Sequence, residues 1–156
     1  MAQLGEKTTT DEVLEAIDLT GKVAIVTGSS GGLGAETARA LASKGAAVTI
    51  AARDLRRAQN MADQIKENTG NPNVDVGELE LDKPNSVRDF ARNYLANHDE
   101  LNILINNAGV MACPLDRTAQ GWEMQFATNH LGHFLLSCLL SPALVHGSPA
   151  RVVNLS

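Results

Sequence analysis

Residues 22–34 constrain this chain more than any other stretch. Lys22-Val23-Ala24-Ile25-Val26-Thr27 is a short, β-branched apolar run, the composition of a strand buried on both faces. It passes directly into Gly28-Ser29-Ser30-Gly31-Gly32-Leu33-Gly34, with four glycines in seven positions, and a helical pattern begins at once. A glycine turn between a strand and a helix is where backbone N–H groups at a helix start converge on a phosphate. Gly28 permits the tight turn, Gly32 leaves backbone open to an approaching pyrophosphate, and Gly34 lets the helix pack close to the sheet. Ser30, Gly31 and Leu33 complete the loop.

The same alternation repeats along the chain. The first helix of the repeat spans Gly32 to Lys44, with Leu33, Thr37, Ala40 and Leu41 on one face and Gly45 ending it. Ala47 to Ala52 reads as a second strand. Leu55 to Asn68 reads as a helix with Leu55, Ala58, Met61, Ala62 and Ile65 inward, and Asn71-Pro72-Asn73 as a turn. Val74 to Leu81 is a third strand, and Pro84 opens a helix carrying Val87, Phe90, Ala91, Tyr94 and Leu95. Leu101 to Ile105 is a fourth strand. Gly121 to Leu144 is a long apolar helix broken near Pro142, and Val152 to Leu155 starts a fifth strand. Thr10 to Ile17 is expected to form a short helix capped by Thr or Asp. The pattern predicts an α/β doubly wound parallel sheet, Rossmann-like but incomplete, with strands 1–5 present and a nucleotide at the carboxyl ends of the strands. Residues 1–20 form an N-terminal extension, and residues 21–156 form the nucleotide-binding domain.

Bulk properties narrow the function. The net charge is −5 and no block of like charges occurs, so nothing points to nucleic acid. No apolar run approaches the roughly 18 residues of a membrane span, and the polar N-terminus lacks a secretory signal. A cytoplasmic protein is expected, with Cys113 and Cys138 as reduced thiols.

The glycine spacing fits both T-G-x-x-x-G-x-G and T-G-x-x-G-x-x-G. Asn106-Asn107-Ala108-Gly109, at the end of the fourth strand, decides for the first. Together these motifs resemble the compact branch of the short-chain dehydrogenase/reductase family. Asp18-Leu19-Thr20-Gly21-Lys22 and Asn129-His130-Leu131-Gly132-His133-Phe134 look like its retinol-dehydrogenase-like members. The extended, sugar-nucleotide-modifying branch is disfavoured by Asn106 to Gly109.

The resemblance implies a nicotinamide dinucleotide and a small alcohol or carbonyl substrate. NAD-preferring relatives place an acid at the end of the second strand, where this chain has Ala52, followed by Arg53. A 2′-phosphate carries about two negative charges and suits a guanidinium, so NADP(H) is expected over NAD(H). The alternative is a solvated Arg53 near Asp54, with Arg56 and Arg57 alike. By resemblance Asp82 accepts the adenine amino group, or else merely starts the Pro84 helix; Leu81 flanks the ring, and Asn107, Ala108 and Gly109 line the nucleotide.

Asn129 matches the family's proton-relay asparagine, a role that overlaps with binding a backbone partner. The family's serine pair V-N-x-S-S begins at Ser156, leaving the expected catalytic serine as the next residue. No Tyr-x-x-x-Lys occurs; the sole tyrosine, Tyr94, has His98 four positions on and reads as packing. His130 and His133 lack a third ligand, so no metal is expected. Trp122 and Met124 are expected beneath the loop after the fourth strand, and Met111 to Gln120 on the substrate side. The 156 residues thus read as the cofactor-binding half of an oxidoreductase, inactive by itself, with a non-catalytic nucleotide-binding remnant as the alternative. The helix 121–144 is a candidate homodimer face.

Overall fold

The computed structural model describes residues 5–155; Ser156, the expected neighbour of a catalytic serine, lies outside the described residues. Five parallel strands form one sheet: β1 (Val23–Thr27), β2 (Ala47–Ala52), β3 (Val74–Glu78), β4 (Ile103–Asn106) and β5 (Arg151–Asn154). Their order is β3-β2-β1-β4-β5. In register, Val26 of β1 faces Ile50 of β2 and Ile105 of β4. The order reverses at β1, so the loops leaving β1 and β4 turn apart and open a crevice at their carboxyl ends.

The helices are α1 (Thr10–Val13), α2 (Gly32–Ser43), α3 (Leu55–Thr69), α4 (Pro84–Asn97), α5 (Met124–Phe126), α6 (Gly132–Leu139) and α7 (Ser141–His146), with a π-helical turn at Ala127–Leu131 joining α5 to α6. Successive strand residues face opposite sides. Val26 therefore joins a core with Val48, Ile50, Ala38, Leu41, Ala58 and Ile65 beneath α2 and α3. Ile25 joins Leu104, Val87, Phe90, Leu136 and Leu140 beneath α4, α6 and α7. Asp54 caps α3 by accepting the Arg57 N–H at 3.0 Å, and Gly70 ends that helix in the left-handed conformation.

Several expected boundaries move. The N-terminal helix is only Thr10–Val13; its cap is Thr9, which forms a reciprocal capping box with Glu12. Val13 and Ile17 are exposed, so no apolar face extends that helix to Ile17. On α2 the inward residues are Ala35, Ala38, Leu41 and Ala42, whereas Leu33 is 77% exposed. The close approach of α2 to the sheet admits alanines, and Leu33, in the first turn, faces the crevice instead. The expected helix from Gly121 starts at Met124, where the Glu123 carboxylate accepts the Gln125 and Phe126 N–H groups. It breaks at Leu140, just before Pro142. No helix among the described residues is long and apolar enough to cross a membrane.

Candidate nucleotide site

A cleft of about 640 Å³ opens at the carboxyl ends of β1, β2 and β4. Of the residues expected at the nucleotide, Gly28, Ser30, Gly31, Leu33, Gly34, Arg53, Leu81, Asp82, Asn107, Ala108 and Gly109 all line it, together with Ala52. Gly32 sits at the start of α2 beside them with φ +60° and nothing within 4 Å of where a Cβ would lie. Its backbone conformation asks for glycine, and the space beyond it is open.

The other two key glycines are set by packing. A Cβ on Gly28, at φ +66°, would lie 2.7 Å from Ala108 Cα. A Cβ on Gly34 would lie 2.5 Å from Asn107 Nδ2 and 2.6 Å from the Gly28 carbonyl oxygen. The glycine loop and the loop after β4 are therefore in backbone contact. Asn107 Nδ2 donates to the Thr27 carbonyl at 2.8 Å. Thr27 Oγ1 accepts the N–H groups of Asn107 and Ala108, each at 3.0 Å. Ser29, fully buried, donates through its hydroxyl to the Val26 carbonyl at 2.7 Å and closes the turn.

The far wall comes from the π-helical turn. Asn129 Oδ1 accepts the Val110 N–H and Asn129 Nδ2 donates to the Val110 carbonyl, both at 2.8 Å. Its side chain thus clamps the loop after β4, one residue past Gly109. Cys113, Asp116, Met124 and Thr128 extend the cleft on this side, while Met111 and Leu115 point outward. Trp122 does not pack beneath the loop as expected: it is 41% exposed, in a turn tied by the Thr118 N–H donating to the Trp122 carbonyl at 2.9 Å.

Two contributors escape the sequence reading. Arg57, in the first turn of α3, brings Nη2 to 3.5 Å from the position of a Gly31 Cβ. It is a second cation beside the glycine loop, on the side of Arg53; the available signal was a basic residue one turn into the helix after strand two. The second is His133, buried on α6, with Nε2 2.9 Å from Thr27 Oγ1 and Nδ1 3.0 Å from the Asn129 carbonyl oxygen. Burial pushes its imidazole below the ordinary value of 6.5, against a smaller opposing effect of that carbonyl. His130 faces the other way and stacks on Phe126 with ring centroids 5.2 Å apart, so the two histidines do not converge. Among the described residues no three His, Cys, Asp or Glu side chains gather as a metal site.

Tyr94 is buried away from the cleft; its hydroxyl donates to the Glu100 carbonyl at 2.9 Å, its ring stacks on His98, and burial raises its phenol above the usual range. It packs, as expected. Asn106 Nδ2 donates to Asn154 Oδ1 at 2.8 Å and Ser137 Oγ at 3.1 Å, tying β4 to β5 and α6.

The family described as short chain dehydrogenase matches residues 22–156. Retinol dehydrogenase 12 of Bos taurus is 51% identical over 140 residues, covering 90% of this chain and 44% of that protein. The chloroplastic short-chain dehydrogenase TIC 32 B of Brassica napus is 45% identical over 157 residues, covering 97% of this chain and 49% of that protein. The crystal structure of a metagenomic short-chain oxidoreductase in complex with NADP superposes with a TM-score of 0.77 at 32% identity, over 88% of this chain and 63% of that one. The chain thus spans about half the length of these curated relatives. With a glycine loop seated on Asn107 and Ala108 at the switch point of a parallel sheet, and this family match over all five strands, the chain belongs to the short-chain dehydrogenases.

Proposed function

We propose that these residues bind NADP(H) for hydride transfer between a carbonyl and an alcohol in the whole protein. The observation that carries the reading is the pairing of an open glycine loop with two cations, Arg53 and Arg57, at its edge and no acid at Ala52. The cradle fits a dinucleotide: Gly32 leaves its backbone open, and Gly28 and Gly34 bring two loops together where any side chain would fill the gap. The N-terminus of α2 offers N–H groups and partial positive charge to a pyrophosphate. Arg53 and Arg57 hold the 2′-phosphate, Asp82 the adenine amino group beside Leu81, and Asn107 to Gly109 the nicotinamide-side ribose. When bound, the nicotinamide supplies or accepts the hydride. Asn129 fixes Val110 and so the wall next to the reacting end, and serves the proton relay of the whole protein. The names of the retinol dehydrogenase relatives support an alcohol–aldehyde pair as substrate, and the NADP-bound neighbour supports the choice of nucleotide. The 156 residues contain no Tyr-x-x-x-Lys, so the role read from them is binding and positioning of the nucleotide. The exposed Phe126 and Phe134 on the outer helix face supply an apolar contact for a second copy.

Titration with NADPH and NADH by fluorescence or calorimetry tests the reading. A charge-assisted contact of about 1.5–3 kcal/mol corresponds to roughly 10- to 100-fold tighter NADPH. The Arg53→Ala variant loses most of that preference. Equal affinity for the two nucleotides in the wild type overturns the assignment.

A further inference from the structure

His133 is a buried titratable group that joins α6 to the end of β1. The proton positions around it follow by elimination. A main-chain carbonyl only accepts, so the contact from Nδ1 to the Asn129 oxygen places a hydrogen on Nδ1. Thr27 Oγ1 already accepts from the Asn107 and Ala108 N–H groups, which occupies both of its lone pairs. Its own hydrogen must then be donated. The Ile105 carbonyl lies at 3.4 Å, whereas His133 Nε2 lies at 2.9 Å. Nε2 is therefore the acceptor, and the ring is neutral. A proton on Nε2 would meet a hydroxyl with no lone pair to offer, and the burial of the ring opposes that proton as well.

This contact reaches the cleft. If the Thr27 hydroxyl rotated, the Asn107 or Ala108 N–H would lose its acceptor. Ala108 is also the residue whose backbone a Gly28 Cβ would strike, so the same two amides set the distance between the glycine loop and the loop after β4. From the other nitrogen, the ring holds the carbonyl of Asn129, whose side chain clamps Val110.

We propose that His133 is a positioning residue of the dinucleotide site: by accepting the Thr27 hydroxyl it directs both lone pairs of that oxygen to Asn107 and Ala108 and so sets the width of the cleft. The proposal rests on the nucleotide reading of the cleft, and two of its tests do not.

In the wild-type chain, nitrogen-15 NMR of the ring at neutral pH should show Nδ1 protonated and Nε2 bare; an Nε2–H tautomer or an imidazolium overturns the proposal. Amide hydrogen exchange at Asn107 and Ala108 should quicken in His133→Phe and stay near wild type in His133→Gln, whose Oε1 can still accept from Thr27. In NADPH titrations, His133→Phe should bind about 5- to 10-fold more weakly, the loss of roughly one buried hydrogen bond, and His133→Gln should recover most of it. A double-mutant cycle with Thr27→Val should be non-additive, the double variant binding no more weakly than Thr27→Val alone. Additive losses, or no rescue by glutamine, overturn the proposal. Should His133→Phe fail to fold, the wild-type tautomer and the glutamine variant still decide it. Failure of the wild type to bind either nucleotide overturns the nucleotide reading instead, while the ring tautomer and amide exchange still decide the contact to Thr27.

Discussion

Gly34→Ala isolates the packing of the site from its chemistry. The added methyl would sit 2.5 Å from Asn107 Nδ2, 2.6 Å from the Gly28 carbonyl oxygen and 3.0 Å from Ser29 Cα. Two of these three atoms are backbone and cannot swing aside. Overpacking of this kind costs about 1–3 kcal/mol. Displacing the Asn107 amide from the Thr27 carbonyl costs about 1 kcal/mol more. Alanine repays at most about 1 kcal/mol of helix propensity, and less here because Gly34 lies in the first turn of α2. The net expectation is a loss of about 2 kcal/mol, or about 4–8 °C in Tm for a domain of this size. Gly32→Ala is the control: it meets nothing within 4 Å and should cost only the roughly 1–2 kcal/mol of a left-handed residue, yet weaken NADPH binding by crowding the pyrophosphate. Urea denaturation and nucleotide titration on both variants separate the two effects. A Gly34→Ala chain with wild-type stability and an unshifted Asn107 side-chain amide resonance would refute the reasoning.

Arg57→Ala should weaken NADPH about 3- to 10-fold and leave NADH unchanged in calorimetric titration; equal losses for both would remove Arg57 from the 2′-phosphate. The folded pKa of His133 lies below its ordinary 6.5, so the unfolded chain binds the extra proton first. Stability is then complete above that value and is lost as pH falls from it toward the folded pKa. Urea midpoints measured down through that window should decline, and the decline should vanish in His133→Gln. Glu36, held down to about 2 chiefly by Arg39 and then Thr10, adds its own loss only in more acid solution, below 4.5. Asn129→Leu removes both hydrogen bonds to Val110, at about 1–2 kcal/mol. Faster amide exchange at Val110 would show it, and unchanged exchange would mean that the loop is held by other contacts.

The strands were legible because burial on both faces leaves unbroken runs of β-branched residues and alanine, as in Val23 to Thr27 and Ala47 to Ala52. The glycine loop was legible because its context, strand before and helix after, is local. What escaped depends on contacts distant in sequence. Arg57 reaches Gly31 only because β2 lies beside β1, and His133 meets Thr27 across 106 residues. Leu33 looked like a core residue by its spacing, yet the alanine face of α2 lies closer to the sheet. The start at Met124 was misplaced because residues 110–123 carry no period to mark where a helix begins. Even Asn129 was only half legible: its type suggested a polar role, while its partner, Val110, is known only once the loop is folded back.

The π-helical turn leaves a trace in the spacing of the buried residues behind it. Ala127, Gly132, Leu136, Leu140 and Ala143 all face the core, and the first interval is five residues where an α-helix would count three or four. The wide turn thus works as a phase shifter, moving everything after Leu131 about 100° around the helix axis relative to Met124–Phe126. Deleting one residue between Ala127 and Leu131 would restore a regular helix but put the two ends out of step. Either Leu136 and Leu140 keep the core and Asn129 turns away from Val110, or Asn129 keeps its loop and the core leucines rotate toward water. The extra residue is what lets one helix serve the cleft and the core at once.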